Sequence, residues 1–370
     1  RNRGSYVNHI PLMVARSRVR KSEYDLRDTL LRLLQTSELA YWRAIELREN
    51  LRVQESALSL ADQTLKRSQR ELELGAISRL DIYQPEFQFA QAEGNVSQSR
   101  FSVLQQDDTL RKQMGADLDP EIRKLPLVLT ESPAPPPGDL TIDPELEVEK
   151  ALAVRPDLKS AVQDLDVDDL TVKAIRNQLR PDLSLTGGYT SQGRGGTGYI
   201  RENVFTDIGS RSTITQVLPG GFGDSLDQLF GFGFPVYSFG LRLRLPIRNR
   251  QSHADLADAL INKRRDALQA RNTEQQIRLE VVQAVSQVES SKASVTLAIK
   301  ARDFAQKRLD AEQKKYELGT SQIFLVLQAQ TDLIGAESNV VRESVNFRRN
   351  ELNLLRTTGE LLSERGVTIQ

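Results

Sequence analysis

Residues 26–75 read LRDTLLRLLQTSELAYWRAIELRENLRVQESALSLADQTLKRSQRELELG, and they decide the fold class. Positions 26, 30, 33, 37, 40, 44, 47, 51, 54, 58, 61, 65, 68 and 72 advance by alternating steps of four and three, and leucine or alanine fills all but Ser37, Gln54 and Ser68. A period of about 3.5 residues held this long marks a helix that supercoils against its neighbours. The break at Glu73-Leu74-Gly75, followed by a renewed helical pattern that reads as a return helix from Ile77 to about Gly115, predicts an antiparallel hairpin. Pro85 falls in the early turns of its return arm or at a kink.

The unit returns 244 residues later. Glu73-Leu74-Gly75 becomes Glu317-Leu318-Gly319, Ala57, Ala61 and Leu65 become Ala301, Ala305 and Leu309, and Gly115 lands on Gly359. Ungapped correspondence over such a span indicates an internal duplication.

Composition bounds the function. The 370 residues balance 50 Lys and Arg against 50 Asp and Glu, so no basic excess points to nucleic acid. Without cysteine there is neither a disulfide framework nor thiolate chemistry. No apolar run is long enough for a membrane-spanning helix, a test that does not see barrel strands. The glycine clusters lack the Lys and Ser or Thr of a phosphate-cradling loop, and no nucleophile, base and orienting acid fall together. His9 and His253, also 244 apart, have no second ligand beside them, so neither a metal nor a cofactor is expected and the chain reads as a non-enzyme.

Along the chain, residues 1–11 read as the tail of a strand or loop, with Pro11 setting the start of the long helix. That helix is roughly 90 Å long. The first repeat covers 1–128, a proline-rich connector 129–142, and connecting helices 143–180, broken at Arg155-Pro156 and stopped at Arg180-Pro181. In 181–247 the period becomes two. Leu183, Leu185, Gly187 and Tyr189 alternate with small polar residues, and Tyr237, Phe239, Leu241 and Leu243 alternate with Ser238, Gly240, Arg242 and Arg244. A long glycine-rich loop separates the two strands, and 248–370 is the second hairpin. Two strands are marginal alone, and no further layer covers this apolar face. Lipid is the expected cover, with Tyr237, Phe239, Leu241 and Leu243 facing it and Arg242 and Arg244 facing a wet lumen. So few strands per chain require several subunits, closed by rotational symmetry.

Asn8-His9-Ile10-Pro11, Tyr316-Glu317-Leu318-Gly319-Thr320, the passage Asn177 to Leu183, and Leu245-Pro246-Ile247-x-Asn249-Arg250 occur in an order that resembles the TolC family of outer-membrane efflux proteins. The resemblance covers essentially the whole chain. It implies a mainly α fold with a small β portion: two repeats of long antiparallel coiled-coil hairpins, and a strand pair contributing to a trimeric outer-membrane β-barrel that continues into a periplasmic helical barrel. Family members supply two strand pairs, so the pair of the first repeat is expected to have been lost with the N-terminus. The implied function is the channel subunit of a tripartite efflux or type I secretion system. It would be a passive homotrimeric duct, fed by an inner-membrane pump through a periplasmic adaptor, a membrane fusion protein.

The resemblance places Gly75, Ala76, Tyr316, Gly319 and Thr320 at the periplasmic tip and adaptor contact. It marks Asp81, Ser321, Leu325 and Gln328 as candidates to line the pore or gate. Leu325 and Gln328 stand where well-known members carry acids, so a ring of three carboxylates would fall to Asp81 or Asp332. Asp81 reads equally as a solvated first-turn residue favoured by the helix dipole. Arg242 and Arg244 read as wetting the lumen more than as an anion filter. A second class of function is a non-channel coiled-coil scaffold of the cell envelope, which would have no use for the apolar strand face.

Overall fold

The computed structural model describes residues 5–134, 142–202, 213–247 and 249–367. In chain order the elements are α1 (Ser5–Glu73), α2 (Tyr83–Gln113), α3 (Pro144–Val154), α4 (Pro156–Gln178), β1 (Asp182–Ser191), β2 (Gly198–Glu202), β3 (Thr213–Leu218), α5 (Phe222–Phe230), β4 (Pro235–Arg244), α6 (Arg250–Glu317), α7 (Ile323–Thr358) and α8 (Leu361–Glu364). They form two compact units, Arg1–Ala15 with Val167–Arg264, and Arg16–Asp166 with Arg265–Gln370.

The duplication is written into the backbone of the second unit. After α1 the Gly75 N–H donates to the Leu72 carbonyl at 3.0 Å and the Ala76 N–H to Glu71 at 2.8 Å; after α6 the Gly319 N–H donates to Tyr316 at 2.9 Å and Thr320 to Lys315 at 2.9 Å. Both ends are Schellman caps, which need a left-handed residue. Gly75 and Gly319 supply it at φ 75° and 74°. Gly115 and Gly359, again 244 apart, stand at φ 68° and 81° past α2 and α7.

The repeats differ in what covers the seam. On α6 the positions Ile277, Val281, Ala284, Val288, Ser291, Val295 and Ala298 keep the four-three rhythm and all are buried. Val148 and Ala151 of α3 and Phe347 and Leu354 of α7 pack against the apolar ones up to Val295. The equivalent stretch of α1 buries Ala40 and Ala44 but leaves Leu33 59% exposed, where Ile277 is 1% exposed. Leu31 is buried in its place, with Trp42, Ile45, Val345, Leu352 and Leu361. Leu26 of the seam is exposed too.

Polar contacts then fix α1 antiparallel to α7: Gln35 to Asn353, Glu46 to Arg349, Asn50 to Ser338 and Thr64 to Gln330. At the α3–α4 junction Arg155 reaches Asp157, Glu280 at 2.7 Å and the Thr357 carbonyl. Burial opposes its charge, but these carboxylates outweigh it and raise its pKa. Asp143 caps α3 by accepting from the Glu145 N–H at 3.0 Å.

In the first unit β1 and β4 pair antiparallel, with Leu183 opposite Leu243, Leu185 opposite Leu241, Gly187 opposite Phe239 and Tyr189 opposite Tyr237. The apolar residues therefore share one face, as their alternation predicts, and β4 is exposed along its whole length. Arg242 lies opposite Ser184 and Arg244 opposite Asp182 on the other face.

Three expectations need correction. Residues 5–11 are not strand or loop, since α1 already begins at Ser5 and holds Pro11 inside it. Proline forfeits one helical hydrogen bond there, and its fixed φ is compatible with the helix. The return helix of the first repeat starts at Tyr83, not Ile77, with Pro85 in its first turn. The glycine-rich connection is not all loop either, for it carries the β2–β3 hairpin and α5. Among the described residues no helix is long and apolar enough to cross a membrane.

Candidate functional site at the paired helix turns

The two Schellman caps lie side by side because residues from α1 and α6 bind one another just before them. Tyr316 donates its hydroxyl to Glu71 Oε2 at 2.6 Å. Arg67 donates to Glu71 Oε1 at 3.0 Å and to Glu317 Oε1 at 3.3 Å. Its guanidinium carbon lies 5.1 Å from the centre of the Tyr316 ring, a cation–π distance. Below this group Leu309, Val326, Ala329 and Leu333 form an apolar cluster that Tyr316, Ile323 and Leu60 border. Glu71 is thus tied to the second repeat by a charge-assisted hydrogen bond, stronger than a neutral one.

Burial first, and then the Glu71 carboxylate, push the Tyr316 phenol up to about 12 from an ordinary 10. A group whose pKa rises on folding favours the folded arrangement below its unfolded value. The phenol's contribution is therefore complete below about pH 10 and is lost as pH climbs through about 12. A component with a midpoint near 12, from Tyr316, should be present in the phenolate absorbance titration and should vanish in Tyr316→Phe. A variant titrating identically to wild type would remove the Glu71 contact from the account.

Around the caps the candidate residues separate. Thr320 turns its hydroxyl back to the Lys315 carbonyl at 3.0 Å. Ser321 donates to Glu312 at 2.9 Å, while Lys315 holds the other oxygen of Glu312 at 2.7 Å; together they lower its pKa. Asp81 precedes α2 and sits inside the turn, where its carboxylate accepts the Ser78 N–H at 3.1 Å, so it is not a first-turn helix residue. Leu325 and Gln328 are both exposed, three residues apart on α7. Asp332 is neutralised by Arg308 at 2.7 Å. Leu74, Leu80 and Leu318 stand 83%, 77% and 79% exposed around Gly75, Ala76 and Gly319.

Sequence reasoning picked out Tyr316 but missed Glu71 and Arg67, the residues it engages. A signal was present: position 316 continues the buried seam of α6, and a tyrosine in a seam needs a partner for its hydroxyl.

A family model described as outer membrane efflux protein matches residues 148–360. The chain is similar to the outer membrane efflux protein BepC of Brucella suis biovar 1 (strain 1330), with 24% identity over 350 residues, 95% of this chain and 68% of that protein. Among solved structures it is similar to the outer membrane protein VceC of Vibrio cholerae at TM-score 0.73 and 18% identity, covering 95% of this chain and 76% of that one. It is also similar to the CmeC outer membrane channel of Campylobacter jejuni at TM-score 0.70 and 16% identity, covering 96% and 68%.

Proposed function

The chain belongs to the outer membrane efflux protein family, and from that premise we propose that three copies close a passive exit duct, fed by an inner-membrane pump through a periplasmic adaptor. It is a transport protein, not an enzyme, and its place is the outer membrane, extending into the periplasm. The observation that carries the duct is the β1–β4 ladder. Leu183, Leu185, Tyr189, Tyr237, Phe239, Leu241 and Leu243 are all exposed in one register-matched row, while Arg242 and Arg244 occupy the opposite face. A row of that kind is stable when lipid covers it and water wets its reverse, which is the condition of a barrel wall. An envelope scaffold without a conduit gains nothing from it.

The helical unit lines the periplasmic part of the duct, and its gate is the link between the two turns. While Tyr316 holds Glu71, the end of α6 stays packed on the end of α1, and parting them is a rigid-body shift of one hairpin against the other. Leu74, Leu318, Ala76 and Thr320 around the glycine caps form the surface that the adaptor engages, and Ser321, Leu325 and Gln328 border the opening. A hydrogen bond to a charged partner is worth about 1.5–3 kcal/mol. Tyr316→Phe should therefore raise the open fraction about ten- to hundredfold, since 1.4 kcal/mol is a factor of ten.

Purified trimers in planar bilayers supply the test. Wild-type protein should show rare openings and Tyr316→Phe frequent ones of the same size. Trimers that insert and never conduct would sink the duct, whereas equal open fractions would sink only the gate.

A further inference from the structure

The connection between β1 and β4 holds a helix, α5, whose apolar side the described residues leave largely exposed. On α5 the residues Phe222, Leu226, Leu229 and Phe230 fall within one helical stripe, and Phe222 and Phe230 are 80% and 74% exposed. The rest of the helix is held closely. Asp224 accepts the Gly221 N–H at 2.6 Å and so caps its start. Gly193 and Gly195 form a floor beneath Ser225: a Cβ on Gly193 would collide with the Ser225 carbonyl, and one on Gly195 would come within 3.2 Å of its hydroxyl. Gln228 accepts the Arg194 N–H at 3.1 Å on the same side. The glycine-rich segment is thus the surface on which the polar side of α5 lies.

Two contacts set where the other side faces. Ser191 donates its hydroxyl to the Leu229 carbonyl at 2.9 Å. Ser191 continues the row Leu183, Leu185, Gly187, Tyr189, so the end of α5 is stitched to the apolar face of β1. Just beyond, Phe232 takes φ 54°, a left-handed conformation that costs a bulky residue about 1–2 kcal/mol. Its ring lies 6.0 Å from that of Tyr189, which lies 5.3 Å from that of Tyr237. The apolar row of the strand pair therefore runs on through these three rings to α5.

We propose that α5 is an interfacial anchor, with Phe222, Leu226 and Phe230 immersed at the boundary between headgroups and acyl chains of the membrane that surrounds β1 and β4. This rests on the reading of the strand pair as lipid-facing, and continuity with that face selects lipid as the occupant. An amphipathic helix in the plane of the interface buries one apolar side and leaves its polar side wet. The α5 stripe and its glycine floor divide in that way.

The chain has no cysteine, so single-cysteine nitroxide labels are free of background. Full-length protein carrying Leu226→Cys, Phe230→Cys, Asp224→Cys or Leu241→Cys, reconstituted in phospholipid vesicles, would be compared for collision with oxygen and with a water-soluble nickel chelate. Labels at 226 and 230 should favour oxygen several-fold, as should the strand reference at 241, while the label at 224 favours nickel. If 226 and 230 behave like 224 while 241 reads as lipid, the anchor is wrong and the barrel wall stands. Spin–spin broadening at 230 would place α5 against a second copy and likewise overturn the anchor. A water-exposed 241 would overturn the barrel wall, and the anchor with it.

Discussion

Phe239→Arg is expected to abolish the membrane-inserted trimer. Phe239 lies within the apolar row of β4, opposite Gly187, and is 82% exposed in the isolated chain. Arginine at such a depth on the outside of a barrel costs about 2–4 kcal/mol. The threefold symmetry of the proposed duct would repeat that cost in each copy, roughly 6–12 kcal/mol in all, comparable to the whole net stability of an ordinary domain at about 5–15 kcal/mol. Ser238→Arg introduces the same charge one residue earlier, on the face that already carries Arg242 and Arg244, and should leave the trimer intact. Fractionation of outer membranes and gels of unheated samples read both variants. Trimers from Phe239→Arg as abundant as wild type would show that this face does not meet lipid.

Phe347→Ala should destabilise the helical unit by about 3–5 kcal/mol, the usual range for truncating a fully buried phenylalanine. Phe347 is 1% exposed and joins α7 to Val148 and Ala151 of α3 and to the Ile277–Val288 stretch of α6. The α3 and α6 walls of the cavity belong to different helices held together partly by Arg155, so they cannot simply close on the vacancy. In calorimetry of detergent-solubilised protein the apparent midpoint should fall on the order of 10 °C, at roughly 2–4 °C per kcal/mol for a unit of this size. Leu325→Ala, at an exposed position of the same helix, should move it little. A fall as small for Phe347→Ala as for Leu325→Ala would mean that this cluster does not hold the unit together.

Much of this was legible in the chain. The 244-residue offset recurs in the φ values of Gly75 and Gly319, and of Gly115 and Gly359, because a helix C-cap is chosen by a few adjacent residues and glycine meets its one left-handed position. The alternation in β1 and β4 predicted the shared apolar face, since side chains in a strand alternate whatever the strand pairs with. Helix starts at Pro144 and Pro156 were likewise local matters.

Other features were not local. The FGDSLDQLF segment of α5 has helical spacing, but Gly223 and the glycines around it read as loop until Gly193 and Gly195 are seen to support it. The four-three seam is the same pattern at Leu33 and at Ile277, yet one is exposed and the other buried, because α3 and α7 lie over the second and no described apolar cluster includes the first. Tyr316 was visible as a tip residue, while Glu71 and Arg67, some 245 positions away, became its partners only when α1 and α6 ended side by side. By itself the sequence determined the repeats, their turns and the two-faced strands, each governed by spacing within a few residues. Which faces are covered, and which charges meet at the turns, was decided by the tertiary structure, because burial and ion pairing depend on what another part of the chain brings alongside.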